Sequence, residues 1–103
     1  MKNRRIRFTA TAREHVRREK AWWLANRDHA DVFTEELERA LKIIGALPGV
    51  GTLYAQSPVP GVRRVYLRKL AAHLYYTFDD ARVIIRALWG AATNLLPQNP
   101  VEY

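Results

Sequence analysis

The sequence contains no cysteine, which excludes a disulfide framework, a thiolate metal site and a cysteine nucleophile, and suits a reducing compartment. Long apolar runs are missing too. Nothing approaches the roughly 20 consecutive apolar residues of a membrane span, and the basic start Lys2-Asn3-Arg4-Arg5 has no apolar stretch behind it. The expectation is an unexported, cytoplasmic protein with no membrane partner. Glycine and proline are scarce at five each, too few for a low-complexity segment. Enzyme signatures are absent as well: there is no HExxH, no Walker-type glycine loop, no GxGxxG and no Ser/His/Asp order, and Gly49-Val50-Gly51 alone is a weak loop signal. Conventional hydrolase, kinase and dehydrogenase readings fall, and neither a metal nor a cofactor is expected.

What is present is an ordinary globular composition, 49% hydrophobic and 26% charged over 103 residues. That length holds one core, so a single domain spanning 1–103 is expected, with Pro97 to Tyr103 as a loose tail. Seventeen Lys and Arg against ten Asp and Glu give a net charge of +7, which favours polyanionic or acidic partners. The charge is unevenly spread: residues 1–27 carry nine basic and two acidic side chains, 28–47 carry two and five, and 48–78 carry four and none. Two basic blocks flank an acidic one.

Hydrophobic periodicity sorts the chain into elements. Arg4-Arg5-Ile6-Arg7-Phe8-Thr9, with apolar residues at Ile6 and Phe8, alternates in the period of a strand with one buried face. Thr9 or Thr11 can cap a helix running to about Asn26, in which Ala12, Val16, Glu19 or Lys20, and Trp23 share a face. Asp28 or Asp31 can cap a second helix, whose stripe Phe33, Leu37, Ala40, Leu41, Ile44 and Leu47 recurs at helical spacing until Pro48-Gly49 stops it. The short join between them predicts a helical hairpin. Pro48 to Gly61 reads as a loop, ordered in part by Leu53 and Tyr54. Val62 to Leu67, Ala72 to Phe78 and Arg82 to Trp89 then read as three strands of an antiparallel meander, with Asp79-Asp80 as a tight turn. The fold expected is α+β, ordered βααβββ, with the helical hairpin packed on a small antiparallel sheet.

Alternation assigns the faces of that sheet. Val65, Leu67, Leu74, Tyr76, Phe78, Val83, Ile85, Ala87 and Trp89 are expected to meet the helices. Arg64, Tyr66, Arg68, His73, Tyr75, Thr77, Arg82, Ile84 and Arg86 are expected on the opposite side, where cationic forks and aromatic planes suit a phosphate-rich ligand. His73, Arg64, Arg86 and Tyr75 have the side chains that metal-independent RNA cleavage requires, namely an acid or base and cations for the phosphorane. Trp22 and Trp23 are adjacent on a helix, so they cannot both face one core. One is expected in the core and the other half exposed.

The segments Arg5 to Thr9, Ala12-Arg13-Glu14, Leu47-Pro48-Gly49, Gly61 to Leu67, His73 to Tyr76 and Val83 to Trp89, in this order and spacing, resemble the RelE/ParE superfamily of toxins from bacterial type II toxin-antitoxin modules. The resemblance implies a toxin neutralised by a cognate, ParD-like antitoxin that drapes over its helices and sheet. RelE-like members cut mRNA on the ribosome with Lys and Arg residues of the sheet face; ParE-like members bind and poison DNA gyrase. Here the position of a usual strand-three arginine holds His73, and Gly90 to Leu96 lacks the basic or tyrosine residues that often close the nuclease site. The resemblance therefore leans toward a ParE-like gyrase inhibitor without chemistry of its own, with a ribosome-dependent, metal-independent endoribonuclease as the alternative. On that reading Arg63, Arg64, Arg68, Lys69, Arg82 and Arg86 are the expected target contacts, and Trp22, Trp23, Leu37, Arg13 and Arg17 the expected antitoxin contacts.

Overall fold

In a computed structural model, residues 3–27 and 30–90 are described. The elements run β1 (Arg5–Phe8), α1 (Ala10–Arg27), α2 (Ala30–Ala46), β2 (Thr52–Leu53), β3 (Arg63–Leu67), β4 (Ala72–Phe78) and β5 (Arg82–Trp89). The expected βααβββ order is met, with one short strand added: β2 lies within the segment expected to be loop. A possible cap at Asp28 and the tail from Pro97 lie outside the described residues.

The sheet order is β1-β5-β4-β3-β2. The last three strands form the expected antiparallel meander, and β2 adds to β3 antiparallel. The first strand differs from an all-antiparallel expectation, because Arg5 to Phe8 pair parallel with Arg82 to Ile85 and make the sheet mixed. A parallel neighbour requires a long crossover, and the two helices together with the meander supply it.

One face of the sheet and the two helices close a core of Ala12, Phe33, Leu37, Ala40, Ile44, Leu67, Leu70, Ala72, Leu74, Tyr76, Val83, Ile85 and Leu88, with Ile6, Phe8, Val16, Trp23, Leu41 and Val65 packed against it. The α2 stripe enters this core as its periodicity requires, except that Leu47 falls beyond the helix end and is exposed.

One irregularity changes the faces. Tyr76 pairs with Ile85 and Tyr75 with Ala87, so Arg86 is an extra residue in β5, a β-bulge. Beyond it the alternation inverts. Ala87, expected against the helices, instead packs on the opposite face with Val62, Tyr75, Tyr54 and Val59, and Trp89 joins it there while its ring meets His15 at 5.6 Å edge to face. Leu88 takes their place in the core.

The α1 helix starts at its Thr9 cap, whose Oγ1 accepts the Ala12 N–H at 3.0 Å. It then runs along the part of β5 that β1 is too short to cover. Thr9 N–H donates to the Ile85 carbonyl at 3.0 Å and Thr9 Oγ1 to the Arg86 carbonyl at 3.3 Å. The buried His15 accepts the Leu88 N–H on Nδ1 at 3.2 Å. Side chains of a helix thus satisfy an edge that a strand would otherwise pair. This explains why α1 buries the polar His15 beside Ala12.

At the opposite side the fully buried Tyr76 hydroxyl accepts the Gly51 N–H at 2.9 Å and donates to the Pro48 carbonyl at 2.6 Å. A Cβ at Gly51 would lie 2.6 Å from that hydroxyl and 2.8 Å from the Arg64 carbonyl, whereas one at Gly49 would meet nothing within 4 Å. These bonds fix the 48–51 turn to the sheet. Because Tyr76→Phe leaves a donor and an acceptor unpaired in the interior, it should cost about 1–3 kcal/mol. Urea unfolding read by far-UV circular dichroism checks this; an unchanged midpoint would show that the hydroxyl does not hold the turn.

Candidate functional site: the open face of the sheet

The face turned away from the helices is built by register. Arg64 of β3 pairs with Tyr75 of β4, which pairs with Ala87 of β5. One row along, Tyr66, His73 and Trp89 follow one another across the same three strands. Toward the other end Thr77 pairs with Ile84, and the parallel edge sets Arg7 beside Ile84 and Arg5 beside Arg82. Arg86, projected by the bulge, donates from Nε to Thr77 Oγ1 at 3.0 Å. An aromatic row at one end is thus continued by arginines over the rest of the face.

The aromatic end is tightly packed. Tyr54 meets Tyr75 edge to face at 5.1 Å, and the Arg64 guanidinium lies over the Tyr54 ring at 4.9 Å. His73 sits between Tyr66 at 4.9 Å and Tyr75 at 6.2 Å. Tyr66 is 56% exposed while Tyr75 is buried; of the two tyrosines, Tyr66 is the one that offers a ring to solvent. A cavity of about 370 Å³ opens beside them, lined by Val50, Gly51, Thr52, Arg64, Val65, Tyr66 and His73. Burial, and then the nearby Arg64 guanidinium, hold His73 below the ordinary histidine value of 6.5. It is therefore a neutral imidazole at neutral pH, able to accept a proton.

Charge separates across the molecule. Among the described residues every carboxylate lies on α1, on α2 or in the Asp79-Asp80 turn, and no strand carries one. In that turn Asp79 Oδ1 accepts the Ala81 and Arg82 N–H groups at 2.8 and 2.9 Å, which holds its carboxyl below the usual carboxylate range.

Of the expected target contacts, Arg64 and Arg86 meet on this face, and Arg82 stands at its far end beside Asp79. The others point elsewhere. Arg63 Nη1 donates to the Gly51 carbonyl at 2.8 Å from the adjacent alternation position, and Arg68 is exposed in a 3-10 turn after β3. Lys69 Nζ lies 3.8 Å from Glu36 on α2, which also holds Arg39 at 2.6 Å. His73 and Tyr75 share the face with Arg64 and Arg86, so the alternative nuclease set is brought together. Of the expected antitoxin contacts, Leu37 is in the core at 7% exposure. Trp22 and Trp23 are both half-buried, in edge-to-face contact at 6.5 Å under the Arg27 guanidinium. Trp23 packs on the core and Trp22 stays half-buried outside it, in line with the expected division into one core and one half-exposed tryptophan. Arg13 and Arg17 are exposed; Arg17 and then Arg18 bind Glu14 and hold its pKa to about 2.

Sequence reading did not place Arg5, Arg7, Tyr54 or Trp89 at this face. The alternation of Arg5 and Arg7 with Ile6 and Phe8 carried the signal for the first two, but their neighbours depend on the parallel pairing. Trp89 had no signal, because only the bulge turns it over.

No protein-family model matches the sequence, and no curated protein matches it. Among solved structures the chain is similar to one described as the chromosomal ParDE TA system from P. aeruginosa, with a TM-score of 0.68 and 14% identity over 85% of this chain and 96% of that one. The chain thus shares the fold of the chain matched in that structure, in line with the fold that the sequence resemblance implied. Among the described residues no helix is long and apolar enough to cross a membrane.

The environment of His73 gives a test. Arg64→Gln removes the cationic contribution but not the burial, so the His73 midpoint should rise part of the way toward 6.5. With the folded value depressed, its contribution to stability is complete above 6.5 and declines as pH falls below it. NMR titration of the imidazole protons in both proteins reads this directly, and identical midpoints would refute the coupling.

Proposed function

We propose that this chain is the toxin of a type II toxin-antitoxin pair, that it inhibits DNA gyrase by binding through the open sheet face, and that a ParD-like antitoxin neutralises it. The fold likeness supports the toxin role and the partner class. The observation that carries the target reading is the carboxylate-free strand set with Arg5, Arg7, Arg64, Arg82 and Arg86 on one face, a surface suited to a partner engaged with DNA. Among the described residues, Arg5, Arg7, Arg64 and Arg86 enter no ion pair with a carboxylate. The antitoxin covers the half-buried Trp22 and Trp23 and the Arg13 and Arg17 side of α1 with one segment, and screens the basic face with an acidic one. Leu37 contributes by shaping α2 from within.

A second reading, ribosome-dependent mRNA cleavage, is favoured by one feature: neutral His73 stands with Arg64, Tyr66 and Tyr75 around an open cavity. There His73 takes the proton of the 2′ hydroxyl as that oxygen attacks phosphorus, Arg64 and Arg86 stabilise the charge that develops on the phosphoryl oxygens, and the imidazolium returns the proton to the 5′ oxygen as its bond to phosphorus breaks.

Gyrase supercoiling of plasmid DNA and mRNA cleavage in a translating extract, run in parallel with the purified chain, separate the two. Inhibited supercoiling with accumulated linear DNA and intact mRNA is expected. Arg64→Glu combined with Arg86→Glu should raise the inhibitory concentration at least about tenfold, because two reversed charges facing a polyanion cost more than about 1.4 kcal/mol. Codon-linked mRNA cuts with normal supercoiling, lost in His73→Ala, would replace the first reading with the second.

A further inference from the structure

We infer that two copies of this chain pair through the open edge of β2 and the uncharged surface beside it, forming a two-fold dimer with one continuous sheet. The inference does not rest on the proposed target. Between Lys42 and Arg63 the chain runs twenty residues without a charge. Exposed aliphatic side chains collect in the same run: Ile43, Leu47, Val50 and Leu53 are between 47% and 62% exposed. Backbone bonds link the first three, from Leu47 N–H to the Ile43 carbonyl at 2.8 Å and from Val50 N–H to the Leu47 carbonyl at 3.0 Å, and Leu53 follows on β2. An apolar surface of this extent on a strongly charged chain marks an interaction site.

Backbone direction identifies the edge. Thr52 pairs with Arg64 and Leu53 with Arg63, and Tyr54 N–H donates to the Val62 carbonyl at 2.7 Å. Tyr54 and, by alternation, Thr52 bond toward β3, so the Leu53 N–H and carbonyl point away from the sheet. Among the described residues no strand lies beyond β2. Two such edges are self-complementary when paired antiparallel about Leu53, each Leu53 N–H donating to the other copy's carbonyl. Charge selects a second copy as the occupant. Each copy carries +7, so two copies associate at least cost where no like charges meet, and a nucleic acid or an acidic protein gains nothing from an uncharged surface. The area suffices: a standard interface takes about 800 Å² per partner, roughly an eighth of the 6609 Å² surface, and the uncharged run is about a fifth of the chain. The two-fold axis stands normal to the joined sheet, which sets the two arginine faces side by side on one surface.

Sedimentation equilibrium of the purified full chain over a concentration series, with no other protein present, tests the inference. The mass should rise from 11.9 kDa to twice that value and no further. Added salt should tighten association, because it screens the repulsion between two copies of charge +7. Leu53→Asp, which sets a carboxylate on each side of the axis, should weaken association at least about 100-fold, or about tenfold for each copy. Leu47→Glu, beyond the end of α2, should weaken it as well, whereas Leu24→Glu, at an equally exposed leucine of α1, should leave it unchanged; circular dichroism confirms that these surface variants fold. Amide exchange read by NMR should slow at Leu53 as concentration rises, which apolar contact without edge pairing would not produce. A mass that stays at 11.9 kDa at millimolar concentration, growth beyond the dimer, a dimer that survives both Leu53→Asp and Leu47→Glu, weakening by Leu24→Glu, or a Leu53 amide indifferent to concentration overturns the inference.

Discussion

The organisation of this molecule depends on one extra residue in β5. A strand without a bulge at Arg86 would carry Ala87 and Trp89 into the helical core and expel Leu88, and the core would have to absorb an indole where a leucine now fits. With the bulge, Leu88 fills the core beside Leu74, and Trp89 completes the second, smaller cluster with Tyr75 and Val62. The sheet has apolar packing on both sides at one end, while the other end of the open face is left to arginine. The same residue that causes the inversion is the one whose guanidinium is steered onto Thr77. Bulges commonly re-aim a side chain in this way.

The helices answer two different needs. The α2 helix is an amphipathic element that buries its apolar stripe, and its contribution is hydrophobic. By contrast, α1 has little apolar stripe to bury and covers a strand edge through hydrogen bonds from Thr9 and His15. Because β1 ends at Phe8 and β5 continues to Trp89, the uncovered backbone must find partners elsewhere. Short β1 and polar α1 are two parts of one solution.

Much of this was legible in the chain. Period-two alternation located β1, β3, β4 and β5 to within a residue, and the Phe33 to Ile44 stripe located α2 and its buried face. What stayed hidden were relations between segments. The parallel partner of Arg5 to Phe8, the β2 pairing of Thr52 and Leu53, and the inversion after Ile85 are properties of register, which local pattern does not encode. For the site, Arg64, His73, Tyr75 and Arg86 were found from alternation because they precede the inversion or sit at it. Arg63 and Lys69 were grouped with them by charge alone, and the fold sends one to the Gly51 carbonyl and the other toward Glu36. Composition counts charges; only the pleat says which share a surface.

The Tyr76 hydroxyl reaches from the core to the turn that walls the cavity, and so imposes unequal histories on two neighbouring glycines. At position 51 any side chain would collide with that hydroxyl and with the Arg64 carbonyl, while position 49 opens on empty space. A lineage that keeps this turn against the sheet can drift freely at Gly49 and is held at Gly51. Loss of the tyrosine would remove one of these two obstacles and leave the Arg64 carbonyl in place, so position 51 stays closed to a side chain for as long as the turn lies against β3.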